Sequence, residues 1–201
     1  FIYDFNFACL NRKGRMSPWQ KSRLSEIEAD HGRYNPKAIR LATATLLRRI
    51  HSQCDDQRLS LLSDEHFQYR HALQQDLYDL KIEHVTISSK ACRNFQNILF
   101  SVNHADLLVR QRVAAFARET ISFSKSSAAM CQRFALFMVH KNFMCTQFTK
   151  KHIKRPNAHL ESPAQNLGIT DKMLSFSDIF SIRSDKVPTA INSDWMHFYN
   201  D

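Results

Sequence analysis

Glycine and proline are scarce in this chain, which has 3 Gly and 5 Pro among 201 residues. Their scarcity excludes a low-complexity or linker-rich chain, because such chains are enriched in these residues. Hydrophobic residues make up 43% of the sequence, and 15 residues are Phe. A chain of this length and composition can bury the core of one domain, or of one domain with an appendage.

Closely spaced cysteines and long apolar runs are both missing. The absence of a Cys-x-x-Cys pair excludes the usual structural zinc pattern, and the odd number of five cysteines favours reduced thiols in a cytosolic protein. No signal peptide is visible and no apolar stretch approaches the roughly 18 residues of a membrane helix, so we expect no membrane partner. The chain begins at Phe1 rather than Met, which we interpret as a fragment whose start is missing.

Acidic residues are outnumbered, with 19 Asp and Glu against 28 Lys and Arg, for a net charge of +9. Such a balance favours a polyanionic partner, although a merely soluble basic protein is the plainer alternative. An anionic membrane is less favoured, because no basic amphipathic anchor is visible. The segment 141–155 contains five basic residues and no acid: Lys141, Lys150, Lys151, Lys154 and Arg155.

The apolar pattern alternates between strand and helix periods. Ser17 followed by Pro18 is typical of a helix start, and Gly32 of a helix end. The succession of strands and helices predicts an α/β domain. The predicted strands are 1–9, 59–62 and 82–87, and the predicted helices are 17–31, 35–54, 66–80, 102–120 and 126–143.

Asp64 is the strongest single candidate for chemistry, because it follows the apolar strand 59–62. A carboxylate at the end of a strand can bind a hard divalent cation, and two such cations can support phosphoryl transfer. The alternative is that Asp64 caps the helix that starts near His66.

A second group of candidates lies on the helix predicted from residue 102. Asn103, Asp106 and Arg110 are spaced i, i+3 and i+7, so they share a helix face. Asn103 and Asp106 could supply oxygen ligands to a metal, with Asp4 as a third ligand. Asp106 could equally interact with the helix dipole or pair with Arg110.

Basic residues along and after this helix could contact DNA phosphates, which position a duplex without reading its sequence. A solvated charged face is the alternative interpretation. The candidates are Arg110, Arg112, Arg118 and Lys125, followed by Lys150, Lys151, Lys154 and Arg155.

Two segments carry a resemblance to a known family. The sequence SDEHFQY at 63–69 and the sequence VNHADLLVRQRVAAFARETISFSKS at 102–126 resemble the C-terminal part of DDE-type transposases of bacterial insertion sequences. In that family a strand delivers a TDG-x-P-x-Y-like motif with the second catalytic Asp, which Asp64 matches. HKNF at 140–143 and SPAQNLGIT at 162–170 also resemble the family, so the likeness spans about residues 57–175.

The later helix of the family reads roughly E-R-x-N-x-x-x-R and is followed by R-L-x-R-K-T-x-S-F-S-K-S. The R-E-T-I-S-F-S-K-S run at 118–126 is the most specific part of the match. The matching residues are Arg110, Arg118, Thr120, Ser122, Phe123, Ser124, Lys125 and Ser126.

The resemblance implies an α/β fold of ribonuclease-H-like type, a layered sheet with helices on both faces. The sheet would be incomplete here, with a partial catalytic domain at 1–145 and a basic, helical C-terminal extension at 146–201. It further implies Mg²⁺ or Mn²⁺ as cofactor and metal-dependent cleavage and joining of DNA strands during transposition. Asp64, Asn103 and Asp106 would be catalytic, and Asp64 and Asp106 would bind metal.

The chain departs from the family pattern in two ways. Counted back from Arg110, the family's glutamate falls on Asn103, and the family's first Asp is expected upstream of Phe1. The chain alone is therefore expected to be catalytically incomplete. The alternatives are a non-catalytic DNA-binding remnant of a degenerate transposase and a structural domain without a nucleic-acid role. The expected partners are the DNA of the element ends and target, with a homo-oligomer left open, and the expected location is the bacterial cytoplasm at the nucleoid.

Overall fold

The computed structural model of this chain describes residues 1–11, 14–54, 58–117, 122, 126–147 and 160–181. These residues form a mixed α/β structure with a small parallel sheet and many helices. They divide into two compact units, one over Asp4–Ser101 and one that joins Phe1–Tyr3 to the described residues from Val102 onward. The domain boundary predicted after residue 145 stays a prediction.

The described part of the first unit contains three helices and two strands. Its elements are α1 (Pro18–His31), α2 (Ala38–His51), β1 (Leu59–Asp64), α3 (Phe67–His71) with a π-helical turn (Ala72–Asp76), and β2 (Ile82–Ile87).

The second unit is helical in its described part, and α4 begins at the junction of the units. Its elements are α4 (Phe100–Arg112), a 3₁₀ turn (Ala114–Phe116), α5 (Ser127–Val139) with a π-helical turn (His140–Met144), α6 (Pro163–Asn166) and α7 (Phe176–Ser181). No helix in the described part of the chain is long and apolar enough to cross a membrane.

The two strands form a parallel pair, in which Leu59 lies opposite Ile82 and Asp64 lies opposite Ile87. Parallel neighbours need a crossover connection, which α3 and its π-helical turn supply. The prediction that segments 59–62 and 82–87 are neighbouring strands is confirmed.

One face of this sheet covers the core of the first unit. Leu59, Leu61 and Ile82 pack against a buried cluster of Ala44, Leu47, Ala72 and Leu77 from the flanking helices. Because strand side chains alternate between faces, Leu62 and Val85 point the other way, and they are 43% and 37% exposed. In the described residues, α2 and the π-helical turn thus cover one face of the sheet.

Local signals placed α1 correctly. Ser17 accepts the Gln20 N–H at 3.3 Å, and the Gln20 side chain accepts the Ser17 N–H at 3.1 Å, which completes a capping box. Gly32 ends the helix at φ 77°, a left-handed conformation that favours glycine.

The prediction of a strand over residues 1–9 is wrong. Side chains bind the backbone amides that a strand would offer to a neighbour: Asp4 Oδ1 accepts the Phe5 N–H at 2.7 Å, and Asn6 Oδ1 accepts the Phe7 N–H at 2.9 Å. Such local bonds compete with sheet pairing, so the aromatic alternation alone did not determine a strand.

Two predicted helices are shorter than expected. The helix predicted over 102–120 ends at Arg112, and its described continuation is the 3₁₀ turn Ala114–Phe116. This break buries Ala115 and sets Phe116 edge-on to Phe134 of α5, at 5.8 Å between ring centroids. Packing therefore outweighs the helical propensity of the two alanines.

The helix predicted over 66–80 changes to the π-helical turn at Ala72, where the Leu77 N–H donates to the Ala72 carbonyl at 3.0 Å. This wider turn places both Ala72 and Leu77 in the core, where they are 0% and 1% exposed.

Candidate functional site

Asp64 is the last residue of β1, at the carboxyl end of the parallel pair. Open α/β sheets commonly bind ligands at this end of their strands. The Asp64 carboxylate is exposed, and its Oδ1 accepts the His66 N–H at 3.2 Å. Among the described residues, no cation forms an ion pair with Asp64, so Oδ2 can accept a ligand.

Asp64 fulfils its alternative role, that of a helix cap, only in part. The residue that caps α3 is His66, whose Nδ1 accepts the Gln68 N–H at 3.4 Å. Asp64 acts one step earlier, because its bond to the His66 amide shapes the turn from the strand into the helix. That bond orients the carboxylate and occupies one oxygen.

Ser63 and His84 form a polar pair beneath Asp64, on the core-facing side of the sheet. The Ser63 hydroxyl is buried and donates to the Asp64 carbonyl at 2.8 Å. His84 Nε2 lies 2.8 Å from the same hydroxyl oxygen, so it acts as the donor to Ser63. Burial lowers the pKa of His84, and the charge of Arg70 lowers it further, which favours the neutral ring.

Two further polar side chains at this end of the sheet were missed from the sequence. Burial raises the pKa of the Tyr69 phenol, and the nearby Asp64 carboxylate adds to the effect. Glu65 Oε2 accepts the Ser89 N–H at 3.2 Å and so ties the end of β1 to the loop after β2. In the sequence, the position of Glu65 directly after Asp64 was the signal that could have predicted a second carboxylate at this end of the sheet.

Aromatic rings cluster beside Asp64 at the start of α3. The rings of His66 and Phe67 stack at 5.2 Å between centroids, and the rings of Phe67 and His71 form a T-shaped pair at 5.5 Å. Phe67 is 58% exposed. The sequence HFQYRH contains these residues, but only the helix places them together.

Asp106 pairs with Arg110 along α4. Asp106 Oδ2 lies 2.6 Å from Arg110 Nη2, and Oδ1 accepts the Arg110 Nε–H at 3.0 Å. The pairing that the sequence left open is therefore present, and it occupies both oxygens of Asp106. Asn103 lies half-buried one turn earlier. Asp4 is also neutralised, by Arg49 at 3.0 Å.

The described residues contain no cluster of three or more His, Cys, Asp or Glu side chains suited to a metal. Mg²⁺ does not require such a cage, because it retains several waters and commonly binds one or two carboxylates together with substrate phosphates. Asp64 fits that role by its exposure and its available oxygen. Asp106 can serve only if a cation displaces Arg110. The prediction that Asp64 shares a cation with Asn103 or Asp106 joins residues of different units and stays a prediction.

Of the predicted DNA-contacting residues, only Arg110 and Arg112 fall in the described part of the chain. Arg112 is exposed at the end of α4. The other candidates lie outside the described residues: Arg118, Lys125, Lys150, Lys151, Lys154 and Arg155.

Comparisons of the chain with protein-family models, with curated proteins and with solved structures give no match.

Proposed function

We propose that this chain is the C-terminal part of a DDE-type transposase catalytic domain, in which Asp64 binds Mg²⁺ or Mn²⁺ next to a DNA phosphate. The observation that carries the proposal is an exposed carboxylate with an available oxygen at the carboxyl end of a parallel β-α-β unit. The ribonuclease-H-like layered sheet with helices on both faces is part of the same proposal.

Each group of residues has a distinct part in this function. A bound divalent cation would stabilise the charge that develops on phosphate oxygens during strand cleavage and transfer. Asp64 supplies an oxygen ligand, and the His66 amide fixes its orientation. The basic residues of α4 and of segment 141–155 would hold the DNA backbone.

Paramagnetic Mn²⁺ tests the metal site without requiring activity. In a backbone NMR titration of the full chain, we expect line broadening centred on residues 64–69. Asp64→Asn should remove this broadening, whereas Asp30→Asn, the same change at an exposed position on α1, should leave it intact. Broadening that persists in Asp64→Asn would show that the cation binds elsewhere.

A non-catalytic DNA-binding remnant is the second candidate, and the Asp106–Arg110 ion pair favours it. The family's glutamate position is Asn103, and the acid one turn later is neutralised. If the chain is such a remnant, its affinity for duplex DNA should be the same in EDTA and in Mg²⁺. Mn²⁺ should then cause no localised line broadening. The metal-dependent function requires the localised broadening, so the same titration separates the two.

A further inference from the structure

Basic side chains surround Cys145 in the second unit. It directly follows the π-helical turn His140–Met144, with an extended backbone. The His140 ring faces its sulfur, with Nδ1 at 3.3 Å and Nε2 at 3.7 Å from Sγ. The turn thus places an imidazole within reach of a thiol five residues later.

Two further basic side chains share this neighbourhood. Arg112 at the end of α4 donates from Nη1 to the Cys145 sulfur at 3.5 Å. Burial lowers the pKa of the Lys141 ammonium, while Cys145 acts to raise it and Arg112 to lower it, so Lys141 lies in the field of both. In the described part of the chain, no carboxylate pairs with Arg112, His140 or Lys141.

The surrounding structure holds the turn in place. Asn142 is 2% exposed, and its side chain binds the Ile2 backbone at 2.9 Å to the N–H and 2.7 Å to the carbonyl. The Phe143 carbonyl accepts the Leu174 N–H at 2.9 Å. The His140 ring also stacks on Phe176, at 6.3 Å between centroids. The imidazole therefore has a defined position relative to the sulfur.

We propose that Cys145 is a nucleophilic thiol that hydroperoxides oxidise selectively to a sulfenic acid, with His140 as its base and Arg112 as the cation that stabilises the thiolate. A thiolate is the reactive form of cysteine, and basic neighbours favour it. Partial exposure gives a small oxidant access, since Cys145 is neither buried nor fully exposed. This inference concerns a different reaction from the proposed DNA chemistry, although both proposals use Arg112.

The reaction balances with hydrogen peroxide as the only co-reactant. His140 takes the thiol proton, and the sulfur attacks one peroxide oxygen. The O–O bond breaks as the S–O bond forms. The departing hydroxide takes the proton from His140 and leaves as water. Sulfur loses two electrons, peroxide gains two, and the products are a sulfenic acid and water.

Three of the other described thiols provide internal comparisons. Cys131 is 0% exposed, and the Cys54 thiol donates to the Ile50 carbonyl at 3.3 Å. Cys92 is more exposed than Cys145, but among the described residues its sulfur has no polar partner. If solvent exposure alone set the rate of oxidation, Cys92 would react faster. If basic neighbours set it, Cys145 would react faster.

The test exposes the full chain to limiting hydrogen peroxide with dimedone, which traps sulfenic acids, and follows each cysteine by peptide mass spectrometry. We expect Cys145 to be labelled at least about tenfold faster than Cys92, because reactivity follows thiolate content. Equal or faster labelling of Cys92 in the native protein would overturn the proposal.

Substitutions then test the roles of the residues next to Cys145. His140→Asn and Arg112→Gln should each slow labelling of Cys145 while labelling of Cys92 stays constant, and Arg133→Gln on exposed α5 surface should change neither rate. Circular dichroism establishes which variants are folded. Folded variants with unchanged Cys145 rates would contradict the assigned roles, and the native ratio of Cys145 to Cys92 decides the proposal even if a variant unfolds.

Discussion

At the residue scale, the Ser63–His84 pair shows how a polar group is accommodated in this small core. Ser63 is 8% exposed, and its hydroxyl donates to the Asp64 carbonyl and accepts from the His84 ring, each at 2.8 Å. A buried hydroxyl without partners would cost roughly 1–3 kcal/mol, so His84 stabilises the strand end as a neutral donor.

This pair predicts a loss of stability in mild acid. The pKa of His84 in the folded chain lies below its ordinary 6.5, so the unfolded chain binds the proton first as the pH falls. The free energy of unfolding should therefore decrease as the pH falls from 6.5 through the lowered folded pKa, and level off below it. His84→Gln should flatten this dependence in urea titrations at several pH values. His31→Gln, at an exposed helix end, is the control, and an equal flattening there would refute the assignment.

At the element scale, ion pairs of different burial join α2 to the end of the π-helical turn and to the residues just after it. Arg40 and Asp76 lie 3.0 Å apart, and their side chains are only 14% and 21% exposed. Arg48 and Asp79 also lie 3.0 Å apart but are 49% and 45% exposed. Because solvent screens the second pair, the first should contribute more to the packing of α2 on the turn.

The substitution Asp76→Asn tests this difference. It leaves Arg40 largely buried without its counter-charge, and we expect the free energy of unfolding to fall by about 2–3 kcal/mol. Asp79→Asn, the matched change in the exposed pair, should cause a clearly smaller loss. Urea denaturation of both variants measures the difference, and equal losses would show that burial does not distinguish the pairs.

The Asp106–Arg110 pair on α4 leads to a prediction about DNA. Asp106→Asn removes a negative charge and releases Arg110, so affinity for duplex DNA in EDTA should rise about twofold or more at low salt. Stability should fall by only about 0.3–0.5 kcal/mol, as for other exposed i, i+4 pairs.

Fluorescence anisotropy with a labelled duplex measures the change in affinity. Asp30→Asn removes the same charge from exposed α1 and controls for net charge alone. An equal gain in both variants would mean that Arg110 does not lie at the DNA surface.

At the scale of the whole molecule, the net charge of +9 makes salt dependence the main test of DNA binding. Each phosphate contact releases counterions, with a slope of about −0.9 per contact in a plot of log affinity against log salt. Replacing Lys150, Lys151, Lys154 and Arg155 together with Ala should reduce this slope by about 3 to 4.

A control with the same loss of charge uses exposed basic residues of the first unit: Lys21, Arg58, Lys81 and Lys90. Its slope should change little if the segment 141–155 provides the contacts. A similar decrease in both variants would show that DNA binding depends on the net charge and not on a defined surface.

The sequence by itself determined the elements whose signals are local. Ser17 and Gln20 cap α1 with their own side chains, and the pattern of 82–87 alternates over a single strand. It also placed Asp64 at a strand end and Asp106 beside Arg110, because these relations span only a few residues. Interactions between near neighbours require no knowledge of the rest of the fold.

The tertiary structure alone decided what depends on distant partners. Asn142 binds the backbone of Ile2, the break after Arg112 follows the packing of Phe116 on Phe134, and Arg112 meets Cys145 across 33 positions of sequence. No local period encodes such contacts. Their free energy arises only when separate segments bury surface together, and it then outweighs helix or strand propensities of less than about 1 kcal/mol per residue.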